Sequence, residues 1–119
     1  RINSLCHEFM IDNGAKPATL GYRGFPKSCC ISINHVVCHG IPGSKILKES
    51  DILNIDVTCI LNGWFGDSSR MYIAGTTSKK ASRLIEVTYN ALLKAIRLQL
   101  FSLRDLTRFF VTFFLFNIY

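Results

Sequence analysis

The dipeptide Asn62-Gly63 constrains the fold of this chain more than any other feature, because strand-like segments flank it on both sides. Asn-Gly accepts the positive φ angles of a type I′ turn, which joins two antiparallel strands through only two residues. The segment from Ile52 to Ile60 alternates well enough for a half-buried strand. We therefore predict a β-hairpin whose returning strand runs from Trp64 to about Ala74.

The register of this hairpin predicts that two acidic residues share a face of the sheet. With a two-residue turn, Thr58 lies opposite Asp67, and Asp56 lies two residues before Thr58 on the same strand. Side chains two residues apart on a strand share a face, so Asp56 and Asp67 become diagonal neighbours, about 7–8 Å apart at the backbone. Two adjacent carboxylates repel unless a cation lies between them, and a divalent metal ion meets that need. The spacing leaves an alternative open, in which one or both acids face solvent or bond to the backbone.

The remaining pattern predicts one more strand and a helix. The segment from Cys29 to Cys38 is rich in Ile and Val and is predicted as a strand, followed by a loop that contains Gly and Pro. From about Ser78, a suitable N-cap, apolar residues recur at spacings of three and four up to Arg97, which is typical of a helix. Together these elements predict an α+β fold, an antiparallel sheet with helices packed on one face.

The last part of the chain differs in composition from the rest. Residues 98–119 include six of the nine phenylalanines and contain no Gly, Pro or Ala. We predict a folded segment over residues 1–97 and a divergent apolar tail over residues 98–119, which is out-of-frame or remnant sequence. Its apolar runs are shorter than the roughly 20 residues that a membrane-spanning helix needs, so no span is predicted.

The net charge and the cysteine content bear on the expected partners and on the compartment of the protein. The formal net charge is +6, and residues 79–119 carry seven Lys or Arg against two Asp or Glu. No recognised nucleic-acid motif accompanies this excess, so DNA is not an expected partner and a solvated helix face is the simpler explanation. Five cysteines, an odd number at irregular positions, do not suggest a secreted disulfide framework, and we expect a reducing, cytoplasmic setting.

One histidine lies where functional side chains often occur. His39 follows an apolar strand and precedes a Gly-Ile-Pro turn, at a strand end. A lone histidine more often has a structural role, and the residues alone leave open whether His39 is structural or functional. Cys29, Cys30 and Cys38 lack the paired spacing of a zinc site, so packing is favoured over metal ligation for them.

Four segments occur in an order and at a spacing that carry a family resemblance. They are residues 20–28 (LGYRGFPKS), 32–42 (SINHVVCHGIP), 51–58 (DILNIDVT) and 62–70 (NGWFGDSSR). In these segments the chain closely resembles the bacterial type I methionine aminopeptidases, and the resemblance extends from about Cys6 to Arg97. It implies half of a pita-bread (creatinase/aminopeptidase-like) fold and a hydrolase that removes the N-terminal methionine from new polypeptides at a dinuclear metal centre.

The resemblance also implies roles for individual residues. Asp56 is expected to chelate one metal ion, and Asp67 to bridge both ions. His39 is expected to act in catalysis by contacting the substrate near the scissile amide. The pocket for the methionine side chain is expected to be lined by four residues, Tyr22, Phe25, Cys30 and Cys38.

The family's cofactors and partners follow from the same resemblance. Its two divalent ions are cobalt, manganese, iron(II) or zinc, its substrates are N-terminal methionyl peptides, and the ribosome is a candidate partner. Its other three ligands, a histidine and two glutamates, belong to the second half of the family's fold. We therefore expect the N-terminal half of a catalytic domain, a truncated member that binds metal weakly and is inactive alone. The alternative is a non-catalytic basic interaction module that binds the ribosome or a membrane surface through residues 79–119.

Overall fold

A computed structural model of the chain describes residues 1–101. Its elements, in chain order, are helix α1 (Ile2–Asp12), strand β1 (Lys16–Pro17), a 3₁₀ turn (Tyr22–Gly24), strands β2 (Cys30–Ile33), β3 (Ile52–Leu61) and β4 (Trp64–Ile73), and helix α2 (Lys79–Phe101). The four strands form one antiparallel sheet, so the predicted class is confirmed. Most of the predicted apolar tail, residues 102–119, lies outside the described residues.

The predicted hairpin is present in the predicted register. β3 and β4 pair along their whole length, and Thr58 lies opposite Asp67. Asn62 and Gly63 have φ angles of 52° and 84°, the left-handed values that a type I′ turn requires. The hairpin therefore forms through the local chemistry of its turn as well as through the packing of its strands.

β3 is the strand with which every other strand of the sheet pairs. Along one edge it pairs with β2, where Cys30 lies opposite Asp56, and with β1, where Lys16 lies opposite Ile60. β4 occupies its other edge. This central position fixes the side chains of β3 relative to three other segments of the chain.

β4 is the exposed member of the sheet. All of its residues are exposed except Met71, which is half-buried. The side chains of Trp64 and Phe65 are 81% and 72% exposed. Among residues 1–101, no strand other than β3 pairs with β4.

Helix α1 has no counterpart among the predicted elements, and polar contacts tie it to the sheet. Asn3 Oδ1 accepts a hydrogen bond from the backbone N–H of Ser28 at 2.9 Å and a longer one from Cys29 Sγ at 3.7 Å. His7 Nδ1 and Ser28 Oγ form another bond at 2.8 Å. Because Ser28 and Cys29 are buried, their polar groups need these partners. Met10 is the buried apolar residue of the helix.

The strand predicted from Cys29 to Cys38 is wrong in its second half, because β2 ends at Ile33. Asn34 has a φ of 53°, which does not continue a strand. Its backbone N–H donates to the Ile52 carbonyl at 2.9 Å, and its side-chain oxygen accepts from the Ile52 N–H at 3.0 Å. Residues 35–51 consequently form an irregular loop, which we call the His39 loop.

The predicted helix and its cap are confirmed in α2. Ser78 Oγ accepts a hydrogen bond from the Ala81 N–H at 3.2 Å, which satisfies one of the free donors of the first turn. The helix runs past Arg97 to Phe101. Within residues 1–101, no helix has both the length and the apolar character that crossing a membrane requires.

Replacing Asn3 with alanine tests the link between α1 and the sheet. Asn3→Ala leaves the N–H of Ser28 without its acceptor, so we expect the free energy of unfolding to fall by about 1–3 kcal/mol. Asn13→Ala is the control, since the Asn13 amide bonds to the Phe9 carbonyl at an exposed position and its loss should cost less than about 0.5 kcal/mol. Urea denaturation followed by circular dichroism measures both. Equal effects of the two substitutions would contradict this account of α1.

Candidate metal centre

The carboxylates of Asp56 and Asp67 lie on the same face of the β3–β4 hairpin. Asp56 is central in β3, between Cys30 of β2 and Ser69 of β4. Asp67 lies opposite Thr58, which shares a face with Asp56 because the two are two residues apart on one strand. The charge of Asp67 is close enough to raise the pKa of Asp56. The diagonal relation predicted from the turn is therefore confirmed.

The environment of Asp56 is unfavourable for a carboxylate. Its pKa is raised to about 6, first by burial, then by the charge of Asp67 and a side-chain hydrogen bond with Asp67, while the charge of His39 lowers it. Asp56 Oδ1 is buried and has no hydrogen-bond partner within the described part of the chain. An unsatisfied buried polar atom costs about 1–3 kcal/mol. Such an atom in a native protein calls for an explanation, and an ion that binds there is one.

Asp67 is oriented by its neighbour across the hairpin. Thr58 Oγ1 donates a hydrogen bond to Asp67 Oδ1 at 3.0 Å. Asp67 is exposed, so its carboxylate is accessible from solvent while the bond from Thr58 restricts its rotation. The pair thus combines one half-buried and one accessible carboxylate.

Electrostatic interactions link a histidine and two cysteines to this pair of carboxylates. The charge of His39 lowers the pKa of Asp56, and the hydrogen bond between Gly40 and Ser32 holds the segment next to His39 on that face of the sheet. Burial, together with the charges of Asp56, Cys38 and Asp67, raises the pKa of the Cys30 thiol to about 11. Cys30 is therefore protonated at neutral pH and behaves as a small apolar side chain rather than as a thiolate ligand. The register of the strands places Cys30, Asp56 and Asp67 on one face of the sheet. The hydrogen bonds of Gly40 to Ile31 and Ser32 bring the neighbouring His39 towards β2, and Cys38 on the same loop is exposed.

Comparison with known proteins identifies the family of the chain. The model of metallopeptidase family M24 matches residues 1–104. The chain belongs to metallopeptidase family M24.

The M24 chain is similar in sequence to bacterial methionine aminopeptidases. The methionine aminopeptidase of Rickettsia prowazekii is 61% identical over 95 residues, which are 80% of this chain and 37% of that protein. The methionine aminopeptidase of Haemophilus influenzae is 52% identical over 99 residues, 81% of this chain and 37% of that protein. The chain therefore spans little more than a third of the length of these relatives.

Solved structures share the fold of this M24 chain. The crystal structure of the R. prowazekii methionine aminopeptidase matches with a TM-score of 0.77 at 61% identity, over 78% of this chain and 38% of that one. The crystal structure of the Thermotoga maritima methionine aminopeptidase matches with a TM-score of 0.78 at 38% identity, over 80% of this chain and 39% of that one. The expected half of a pita-bread fold is thereby confirmed.

Membership of a metallopeptidase family implies divalent metal ions, and the residues present fit part of such a site. Two neighbouring carboxylates are donors that suit a divalent cation, and one of them has a buried oxygen that bonds to no other described residue. Among residues 1–101, however, no group of three or more His, Cys, Asp or Glu side chains is arranged to hold a metal ion. The described residues thus offer two candidate ligands, Asp56 and Asp67, fewer than the three or more protein ligands of a typical catalytic metal site.

Tyr22 and Phe25 lie on the turn that precedes β2. Tyr22 is 64% exposed, and the guanidinium of Arg23 lies 5.5 Å from the centroid of its ring. Phe25 is half-buried, and its carbonyl accepts a hydrogen bond from the Gly21 N–H at 2.8 Å. The membership of both aromatic residues in a methionine pocket stays a prediction.

The residues that hold the His39 loop in place carry little local sequence signal. Ser32 Oγ accepts a hydrogen bond from the Gly40 N–H at 3.1 Å, and the Gly40 carbonyl accepts one from the Ile31 N–H at 2.8 Å. Strand alternation places Ser32 on the same face as Cys30, and the register with β3 identifies this face as the one that carries Asp56. Neither indicates that a loop returns to bond with Ser32.

Replacing Asp56 with asparagine should stabilise the metal-free protein. The substitution keeps the shape of the side chain and removes a half-buried charge that faces Asp67, so the free energy of unfolding with EDTA at about pH 8 should rise by about 1 kcal/mol. Asp12→Asn, at the exposed end of α1, is the control and should change it by less than about 0.5 kcal/mol. Urea denaturation measures both variants. A loss of stability in Asp56→Asn would mean that this carboxylate stabilises the fold instead of being retained as a metal ligand.

Proposed function

We propose that the chain provides part of the active site of a methionine aminopeptidase, a metalloenzyme that removes the N-terminal methionine from new polypeptides. The observation that carries this proposal is the buried Oδ1 of Asp56 beside Asp67, which has no hydrogen-bond partner among residues 1–101. The chain that holds it is 61% identical to the R. prowazekii methionine aminopeptidase over 95 residues. Two carboxylates held together without a cation cost stability, and titratable groups perturbed in this way are concentrated at functional sites.

Each member of the cluster has a distinct role in this activity. Asp56 and Asp67 would hold the divalent ions through their carboxylate oxygens. When bound, such ions polarise the scissile carbonyl and lower the pKa of water, which supplies a nucleophile at neutral pH. Thr58 fixes the orientation of the Asp67 carboxylate through its hydrogen bond to Oδ1. His39 forms a hydrogen bond with the substrate near the scissile amide and is the catalytic residue among those described.

The methionine side chain of the substrate binds against four residues of mixed apolar and aromatic character. A thioether is polarizable and makes favourable contacts with aromatic ring edges and with soft sulfur atoms. The raised pKa of Cys30 keeps its thiol neutral, so this wall of the pocket carries no charge that would need solvation. The four residues are Tyr22, Phe25, Cys30 and Cys38, and the substrates are N-terminal methionyl peptides.

The two carboxylates form an incomplete ligand set. Oxygen ligands alone hold cobalt, manganese, iron(II) or zinc weakly, and catalysis requires that the ions have fixed positions. We therefore expect the chain by itself to bind these ions weakly and to show little or no turnover. The remaining ligands of the proposed site lie outside residues 1–101.

A complementation assay tests the proposed activity. The full chain is mixed with a separately produced polypeptide that comprises the unmatched part of the R. prowazekii methionine aminopeptidase, and release of methionine from Met-Ala-Ser is measured with Mn²⁺ or Co²⁺. Because unfixed ions do not align water and carbonyl, the chain alone should reach at most about one hundredth of the rate of the mixture. Asp67→Asn should abolish the restored activity, and the control Asp12→Asn should leave it unchanged.

Two outcomes of this assay would contradict the account. Absence of methionine release by the mixture would exclude the proposed activity for this chain. Chelator-sensitive release by the unmixed chain, lost in Asp56→Asn, would mean that the chain holds a complete site, with His7, His35 or a second copy supplying the further ligands.

We place this activity in the cytoplasm, with the ribosome as a candidate partner that delivers new polypeptides. The five cysteines are all free, which is compatible with a reducing compartment.

A second candidate function, that of a non-catalytic basic module, is favoured by the surface of α2. Five basic residues of this helix are exposed: Lys79, Lys80, Arg83, Lys94 and Arg97. Contacts of such residues with phosphates release counterions, so binding to ribosomes should be strong at about 50 mM salt and weak at about 200 mM. Co-sedimentation with ribosomes measures this.

The charge-reversal variant Lys79→Glu/Lys80→Glu identifies the surface that binds. It should abolish co-sedimentation if α2 carries the interaction. Binding that is insensitive both to salt and to this double substitution would exclude the basic-module function for α2.

A further inference from the structure

Two hydrogen bonds attach Gly40 of the His39 loop to strand β2. The Gly40 N–H donates to Ser32 Oγ at 3.1 Å, and the Gly40 carbonyl accepts from the Ile31 N–H at 2.8 Å. A Cβ atom at Gly40 would overlap the Ile31 carbonyl. Only glycine therefore lets the loop approach the strand this closely, and His39 is the residue directly before it.

The same loop is closed at its base by two side chains. Asn34 Nδ2 donates to Asp51 Oδ1 at 2.8 Å, and Asn34 Oδ1 accepts from the Ile52 N–H at 3.0 Å. Asp51 Oδ2 accepts from the Lys48 N–H at 2.9 Å. These hydrogen bonds hold the first and last residues of the loop close to each other. The attachment at Gly40 then determines where the part of the loop between them lies.

Ser32 determines on which side of the sheet this attachment is made. It is 4% exposed and lies opposite Asn54 of β3. Ser32 is two residues after Cys30, which lies opposite Asp56, so Ser32 and Cys30 share a face of the sheet. Its hydroxyl is thus on the face that carries Asp56. A buried hydroxyl requires a partner, and the Gly40 N–H is that partner.

We propose that Ser32 is a positioning residue, which holds His39 beside Asp56 by accepting the hydrogen bond from Gly40. This inference rests on the proposed function, in which His39 contacts the substrate at the metal centre. His39 has a φ of 52°, in the left-handed region that only a few per cent of non-glycine residues adopt. When the Ser32 hydroxyl is removed, the loop loses a contact that maintains this conformation, and His39 becomes mobile.

Nitrogen-15 relaxation of the full chain measures this effect directly. The backbone order parameters of His39 and Gly40 should be near about 0.85 in the wild type, as in rigid backbone, and below about 0.6 in Ser32→Ala. Ser28→Ala is the matched control, because Ser28 is also a buried serine, 2% exposed, and its hydroxyl bonds to His7 instead. It should leave both order parameters unchanged.

A pair of glycine variants tests the same attachment by a different route. Gly40→Ala introduces the overlap with Ile31 and should reproduce the loss of order at His39, even if Ser32→Ala folds poorly. Gly43→Ala is its control, because the nearest atom to a Cβ there is the Ile41 carbonyl oxygen at 4.0 Å. It should leave His39 as ordered as in the wild type.

Kinetics of the complementation mixture test whether the order of His39 affects the release of methionine. Because His39 acts at the scissile amide, Ser32→Ala should lower kcat for Met-Ala-Ser at least about tenfold with KM changed less than about twofold. The Mn²⁺ affinity of the mixture should stay at the wild-type value, since neither carboxylate is altered.

The outcomes separate this inference from the proposed function. Unchanged order at His39 in both Ser32→Ala and Gly40→Ala would overturn the inference, whether or not the mixture is active. Loss of order with an unchanged kcat would overturn it too, since the position of His39 would then have no consequence. An inactive wild-type mixture would contradict the proposed function, and the relaxation data would still decide whether Ser32 holds His39.

Discussion

Backbone pairing along β3 is the constraint on which the rest of the described structure depends. The strand pairs with β4 at one edge and with β2 and β1 at the other. Because side chains alternate along a strand, one register places Asp56, Thr58 and Cys30 on a single face, with Asp67 beside them. A slip of one residue in the hairpin would move the two carboxylates to opposite faces. The Asn62-Gly63 turn therefore determines the candidate site as well as the hairpin.

The candidate site lowers the free energy of unfolding of a chain whose buried apolar core is small. The described core is small, and its buried apolar residues are Met10, Ala15, Cys29, Cys30 and Leu53. Next to it, Asp56 has a pKa raised to about 6 and a buried oxygen that finds no hydrogen-bond partner in the described part of the chain. Hydrogen bonds between α1 and the residues before β2 offset part of this cost, since they satisfy polar groups in the same region. Departures from good packing are expected where a protein retains a functional group.

Local signals made the hairpin, its register, the acidic pair and α2 predictable from the sequence, because a turn type and a hydrophobic period each depend on neighbouring residues. Helix α1 escaped prediction because its contacts to the sheet include the polar residues Asn3 and His7, which weaken an apolar period. The predicted strand extended too far because Val36, Val37 and Cys38 continue an apolar pattern after Asn34, whereas tertiary hydrogen bonds to Ile52 hold Asn34 at a positive φ. The attachment of the His39 loop to Ser32 joins distant parts of the chain, so no local pattern contains it. The roles of individual site residues came from the family resemblance.

The outer edge of β4 has a consequence for how the chain behaves in solution. Edge strands of natural proteins are usually short, or are protected by lysine, proline or a bulge. β4 has ten residues, none of them lysine or proline, and it exposes Trp64 and Phe65 beside an edge to which no other strand of residues 1–101 is bonded. Such an edge is a template for intermolecular strand addition and, with time, for cross-β aggregation. Whatever covers this edge therefore affects the solubility of the chain, and protein concentration becomes a variable of every measurement on it.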